Sequence, residues 1–218
     1  KFEEASWDEA YDLIASKFTE INEKYWPKAL GFQVSGRTPN EECYIMQKLA
    51  RVAFKTNNID NCARICHGPS VAGLSLSFGS GAATNPFEAV LNADVIFMIG
   101  ANSLEAHPLA GRRVLQAKKA GKTIIVCDPR FTPTARLADH YVRYNPSTNI
   151  ALINSIMYWI IQENLHDKEF IEKRTSGFDD LKKTVEKYAE VESITGVPTE
   201  RIKEIARIYT NAKNAVSI

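Results

Sequence analysis

Cysteine and histidine are scarce in this chain: 218 residues carry four of each. The four thiols are scattered, which excludes a disulfide framework and points to a reducing compartment, so a cytoplasmic protein is expected. Zinc spacing is missing as well. Cys62 and Cys66 are separated by three residues, but Cys43 and Cys127 do not form the second pair such a site needs. The four also match no iron–sulfur run. An excess of one charge is absent: 27 Lys and Arg against 26 Asp and Glu leave a net charge of +1. That removes the electrostatic case for nucleic acid or an anionic membrane. No apolar run reaches membrane-spanning length, because the longest, 150–161, is interrupted by Asn154 and Ser155. Internal repeats, low-complexity tracts and linkers are missing too.

The ends lack their usual marks. Lys1 stands where an initiator Met or signal peptide is absent, and Ala215-Val216-Ser217-Ile218 reads as the opening of a buried strand. The expectation is a piece of something longer.

What is present suits a single sizeable core: 44% of residues are hydrophobic and 24% charged, and residues 1–218 are read as one domain. Ser6-Trp7-Asp8-Glu9 is a capping-box pattern, followed by Ala10, Leu13, Ile14 and Phe18 on one helical face, so a helix is predicted over 6–25. A short strand over 30–35, closed by Gly36, precedes a helix over 41–54. Residues 94–99 and 123–127 are short continuous apolar runs, as expected of parallel strands buried on both faces, with a helix over 109–119 between them. An edge or final strand over 139–144, an apolar helix over 149–163 and a helix after Pro198 complete the pattern. The fold class is α/β, a mainly parallel sheet with helices on both faces in a Rossmann-like αβα sandwich.

The stretch with most chemistry is Cys66-His67-Gly68-Pro69-Ser70, a thiol beside an imidazole just before a predicted helix start. Pro suits the first helical position, and free amides there stabilise a neighbouring thiolate. Cys66 is therefore placed to be a nucleophile or a soft metal ligand, whereas a thiol of no special context is inert core packing. Cys62 reads as structural.

Three further segments follow predicted strands. The first runs Gly100-Ala101-Asn102-Ser103-Leu104-Glu105, the position where a doubly wound sheet binds nucleotides, yet GxGxxG is absent, so a plain strand-to-helix turn fits equally. Cys127-Asp128-Pro129-Arg130 offers an acidic residue for ribose hydroxyls and a cation for phosphate, or else a surface turn with a local ion pair. Ser147 and Asn149 lie where helix-start amides bind anions or a side chain merely caps the helix. His107 is read as a helix-start residue, and His140 and His166 as surface residues. Gly79-Ser80-Gly81 is either a turn or an approach to a ligand.

The run Asn57-Asn58-Ile59-Asp60, Cys62-Ala63-Arg64 and Cys66 to Leu74 closely resembles the molybdenum- or tungsten-dependent formate dehydrogenases. The strand-end segments, together with Ser6 to Ala10 and Val34 to Arg37, are similar to motifs shared by many molybdopterin oxidoreductases. The resemblance implies a bis(molybdopterin guanine dinucleotide) cofactor carrying Mo or W, with Cys66 as a metal ligand and His67 catalytic beside it. It also implies that Gly100, Asn102, Glu105, Cys127, Asp128, Arg130, Ser147 and Asn149 hold one guanine dinucleotide. Glu105 stands where relatives often have Asp. The implied reaction interconverts formate and CO2, with an electron-transfer subunit or redox carrier as partner and a 4Fe-4S cluster in a segment preceding Lys1. On this reading the excised chain alone is inactive. Another molybdopterin oxidoreductase, such as a nitrate reductase or formylmethanofuran dehydrogenase subunit, and a non-catalytic nucleotide-binding domain are the alternatives.

Overall fold

A computed structural model describes residues 2–218. The chain divides into two compact units, Lys1–Thr84 and Asn85–Ile218, where the sequence reading took 1–218 as one domain. The division falls within Gly79-Ser80-Gly81-Ala82-Ala83-Thr84-Asn85-Pro86, a stretch of small and turn-forming residues with too little apolar side chain to hold a core together.

The first unit contains helix α1 (Trp7–Tyr25), strand β1 (Phe32–Val34), helix α2 (Asn40–Lys48), strand β2 (Ile59–Asn61), the one-turn helix α3 (Ala63–Cys66) and helix α4 (Gly68–Phe78). The capping box at Ser6 is formed: the Ser6 amide donates to Glu9 Oε2 at 2.7 Å and the Glu9 amide to Ser6 Oγ at 3.3 Å. α2 runs on through a π-helical turn, Leu49–Ala53, so the predicted helix over 41–54 is present with altered pitch at its end. β1 and β2 pair in parallel. Phe18, Phe32 and Phe54 meet with ring centroids 5.6–5.9 Å apart and form the unit's apolar nucleus. Little else is covered. Among the described residues of this unit only Leu30, Ala50 and Thr56 are buried, and Leu13 and Ile14 of the predicted apolar stripe are exposed.

The second unit has helix α5 (Ala89–Asn92), strand β3 (Val95–Ile99), helices α6 (Ser103–Ala106) and α7 (Pro108–Lys119), strand β4 (Thr123–Cys127) and strand β5 (His140–Val142). Helices α8 (Asn149–Gln162), α9 (Lys168–Arg174), α10 (Phe178–Glu186), α11 (Glu192–Thr195) and α12 (Thr199–Thr210) follow, then strand β6 (Ala215–Ser217). The sheet is parallel throughout, in the order β5-β4-β3-β6. Side chains alternate across it. Val95, Phe97, Ile125, Cys127 and Val142 pack with Leu152 and Ile156 of α8 and Ile202 and Ile205 of α12. Ile96, Met98, Ile124 and Val126 pack with Val90 of α5 and Val114 and Ala117 of α7. Both faces are covered, which is why the two central strands read as continuous apolar runs. The strand predicted over 139–144 is an edge strand, and the last strand is β6.

Strand order has a functional consequence. The chain steps outward from β3 to β4 to β5, then returns to place β6 on the other side of β3. β3 therefore borders the point where the winding reverses, and in open parallel sheets the crevice outside the carboxyl ends there is the usual ligand site.

Candidate functional site

In the second unit, β3 delivers its chain directly to that point. Gly100 has φ +63°, a conformation that disfavours a side chain. Its amide donates to Cys127 O at 2.9 Å, which ties the ends of β3 and β4 together. Asn102 and Glu105 follow, and Asn102 Nδ2 donates to Glu105 Oε2. Asn102 Oδ1 accepts from Thr134 Oγ1 at 2.9 Å, while Thr134 Oγ1 accepts the Leu104 amide at 3.2 Å. Thr134 is fully buried. The carboxylate of Glu105 is thereby held in the open at the strand end by an asparagine that a buried threonine has already oriented.

At the end of β4, Asp128 is buried and its Oδ1 accepts the Arg130 amide at 2.7 Å. This is an Asx turn, which leaves the second carboxylate oxygen for another partner and turns Arg130 outward, where it is exposed. Tyr141 donates its hydroxyl hydrogen to Asp128 O at 2.9 Å. Tyr144 is buried at the end of β5, and a Cβ on Gly100 would lie 3.8 Å from its hydroxyl. Burial, then the nearby Asp128 charge, raises the Tyr144 phenol above its ordinary range. Cys127 contributes differently from the other strand-end residues. Its thiol is buried in the core, and burial pushes it up to about 12, so what it presents to a ligand is backbone.

Ser147 and Asn149 lie on the same edge, at the start of α8. Ser147 has φ +67° and does not cap the helix; the cap residue is Thr148, whose hydroxyl donates back to Asn145 O at 2.7 Å. The helix start has no side-chain cap, so its first amides face outward at a site suited to an anion. Asn145 is pinned by its amide to Thr195 O at 2.8 Å and by Nδ2 to Ile194 O at 3.0 Å.

Cys66 and His67 belong to the first unit. Cys66 closes α3 and is exposed, and His67 links α3 to α4 with φ −128° and ψ −2°. α4 begins at Gly68, one residue before the proline the sequence reading put first, with Pro69 inside its first turn. Asp60 receives Arg64 Nε at 2.8 Å and the Asn61 amide at 2.8 Å; these, the arginine first, hold its carboxyl below the usual range. Gly79 adopts φ +75° and closes α4, which accounts for Gly79-Ser80-Gly81 as a helix stop. His107 joins α6 to α7, as expected of a helix-start residue.

The sequence profile of the molybdopterin oxidoreductases matches residues 1–216. The chain belongs to that family. Membership of the molybdopterin oxidoreductases brings a molybdopterin cofactor with Mo or W. Among curated relatives, the chain is 49% identical over 217 residues to a formate dehydrogenase alpha subunit of Methanococcus maripaludis, covering 99% of this chain and 32% of that protein. It is 47% identical over 218 residues to formate dehydrogenase H of Escherichia coli, covering 99% of this chain and 30% of that one. Among solved structures it is similar to the acetylene hydratase of Pelobacter acetylenicus, with a TM-score of 0.68, 28% identity, and coverage of 99% of this chain and 29% of that one. The chain spans about a third of the length of the curated relatives it matches.

The residues suit such a group. Among the described residues no three His, Cys, Asp or Glu side chains stand together as a metal site. The exposed thiol of Cys66 is chemically suited to a soft metal ion. The strand ends offer a glycine turn, two carboxylates, an exposed arginine and an uncapped helix start, a donor set for a nucleoside and its phosphates. Thr134 and Tyr144 were not singled out from the sequence. Neither carries a local signal, since each matters only through a partner distant in the chain.

Proposed function

We propose that this chain is part of the catalytic subunit of a formate dehydrogenase, in which HCOO⁻ is converted to CO2, a proton and two electrons, or the reverse. The observation that carries the reading is the exposed thiol of Cys66, followed by His67, in a chain 47–49% identical to formate dehydrogenase subunits. Residues 1–218 act together as the part that binds one guanine dinucleotide of a bis(molybdopterin guanine dinucleotide).

When bound, the Mo or W centre accepts the two electrons. Cys66 binds the metal as a thiolate. His67, beside that thiolate, holds the substrate or takes the proton released from it. Gly100, Asn102, Glu105 and Asp128 bind the nucleoside, with Cys127 contributing backbone. Arg130, Ser147, Asn149 and the start of α8 bind phosphate. A 4Fe-4S cluster, held by a part of the protein outside this chain, would supply the electron-transfer chemistry toward an electron-transfer subunit or redox carrier. The cytoplasmic location is read from four scattered cysteines, none of them in a disulfide; no helix among the described residues is long and apolar enough to cross a membrane.

The test uses the full-length protein. Elemental analysis is expected to find stoichiometric Mo or W, formate is expected to reduce a viologen dye, and Cys66→Ser is expected to abolish that reduction while the protein stays folded. A metal-loaded protein inert toward formate but active on nitrate or a formyl donor would move it to another reaction of the family. Absence of Mo and W would make it a nucleotide-binding module. The acetylene hydratase likeness, at 28% identity, ranks below the formate dehydrogenases.

A further inference from the structure

We infer that Cys62 is a positioning residue for Cys66, acting through a hydrogen bond from the Gly36 amide to its sulfur. This rests on the reading of Cys66 as a metal ligand. The Gly36 amide donates to Cys62 Sγ at 3.0 Å, although the two residues are 26 apart in sequence. Cys62 also donates its own amide to Val34 O at 3.0 Å, extending the β1–β2 ladder by one residue. Its carbonyl then accepts the Ile65 amide at 3.2 Å and the Cys66 amide at 3.1 Å. One residue therefore connects the end of β1 and the Ser35-Gly36 turn to the backbone of Cys66.

The connection matters because α3 cannot hold itself. It has four residues, and a helix that short has not recovered its nucleation cost. Its other ties are the Ala63 amide to Asn61 Oδ1 at 2.9 Å and the Arg64–Asp60 pair at 2.8 Å. That ion pair is mostly exposed, with 75% and 53% of the two side chains accessible, so solvent screens it. Besides the Cys62 amide on Val34 O, the side-chain anchor to the turn is the sulfur of Cys62, which meets it closely enough that a Cβ on Gly36 would touch it at 3.5 Å. What the anchor requires is an acceptor at the right reach. Valine supplies the volume without the lone pair, and serine the lone pair on a shorter bond.

The experiment compares wild type, Cys62→Val and Cys62→Ser in the full-length protein. The first readout is amide hydrogen exchange, by mass spectrometry, of peptides covering 34–37 and 62–67, on protein produced without molybdate or tungstate. Exchange in both peptides is expected to rise about tenfold in Cys62→Val and less in Cys62→Ser, as a lost hydrogen bond predicts. The second readout is the paramagnetic resonance spectrum of the metal-loaded protein. It is expected to shift in Cys62→Val with metal content retained, and to return toward wild type in Cys62→Ser. Wild-type exchange in Cys62→Val would overturn the clamp itself. Faster exchange with an unchanged spectrum would overturn its positioning role. Absence of Mo and W from wild type would overturn that role together with the functional reading, while the exchange result would still judge the hydrogen bond.

Discussion

Thr134 Oγ1 donates to Asn102 Oδ1 at 2.9 Å across 32 residues of sequence, and the same oxygen accepts the Leu104 amide. Thr134 is thus the hidden support of the loop after β3. Replacing it by valine keeps the shape but leaves Asn102 Oδ1 and the Leu104 amide without their partner. A loss of about 1–3 kcal/mol is expected in denaturant unfolding of the second unit's transition. In the full-length protein, cofactor should also be lost faster. Unchanged stability and cofactor retention would mean the loop is supported otherwise.

Gly111 faces the same loop from α7. A Cβ there would lie 2.9 Å from Leu104 Cα and from Ser103 O, both backbone atoms that cannot move alone. On helix propensity Gly111→Ala should stabilise by about 1 kcal/mol. Because α6 would have to shift, the expected outcome is instead a loss of about 1–3 kcal/mol. Thermal unfolding decides the sign.

The cysteines should separate by reactivity. Cys66 is exposed, whereas Cys127 is buried with its thiol pushed up to about 12. In metal-free protein under native conditions near pH 8, iodoacetamide should label Cys66 and spare Cys127 until the chain is denatured, as read by peptide mass spectrometry. The raised value also couples to folding. The unfolded chain ionises Cys127 near its ordinary value of 9.0, so the native state loses stability as pH rises from there toward 12. Cys127→Ala should flatten that alkaline decline, although it costs stability at pH 7 through the cavity it leaves.

At the acid end the relevant pair is Glu163 and Arg207, joined at 2.7 and 2.6 Å between the end of α8 and α12. The arginine's hydrogen bonds hold the Glu163 carboxyl below its ordinary range. Its contribution is therefore present above the unfolded carboxylate's titration and lost as pH falls through the lowered native value. Glu163→Gln should lower the melting temperature slightly at pH 7, as expected of a surface pair, and the difference from wild type should disappear below the carboxylate range. A difference that persists there would assign the effect to packing.

The two units should differ in stability. The second has a core on both faces of its sheet, whereas in the first only Leu30, Ala50 and Thr56 are buried among the described residues. Hydrogen exchange on residues 1–218 as an isolated chain should find deep protection in β3 and β4 and shallow protection in α1 and α4. Equal protection would show that the first unit is closed by contacts its own burial does not suggest.

The sequence by itself determined what depends on neighbours along the chain. Ser6 and Glu9 are three residues apart and make their own cap, and the runs at 94–99 and 123–127 needed no partner to read as strands buried on both faces. The Cys66-His67-Gly68-Pro69 run carries the reading of Cys66 as a metal ligand in the same local way, and the Cys66→Ser measurement tests it. Tertiary structure decided whatever depends on pairing. The order β5-β4-β3-β6 puts Gly100 at the reversal of winding, and no local pattern encodes which side of β3 receives β6. It also turned Cys127 into the core, because in a strand buried on both faces the alternation of side chains leaves no polar mark to say which face is which. Leu13 and Ile14 show the limit from the other side: a 3.6-residue apolar stripe states that a helix has a face to bury, and only the packed chain says whether anything covers it.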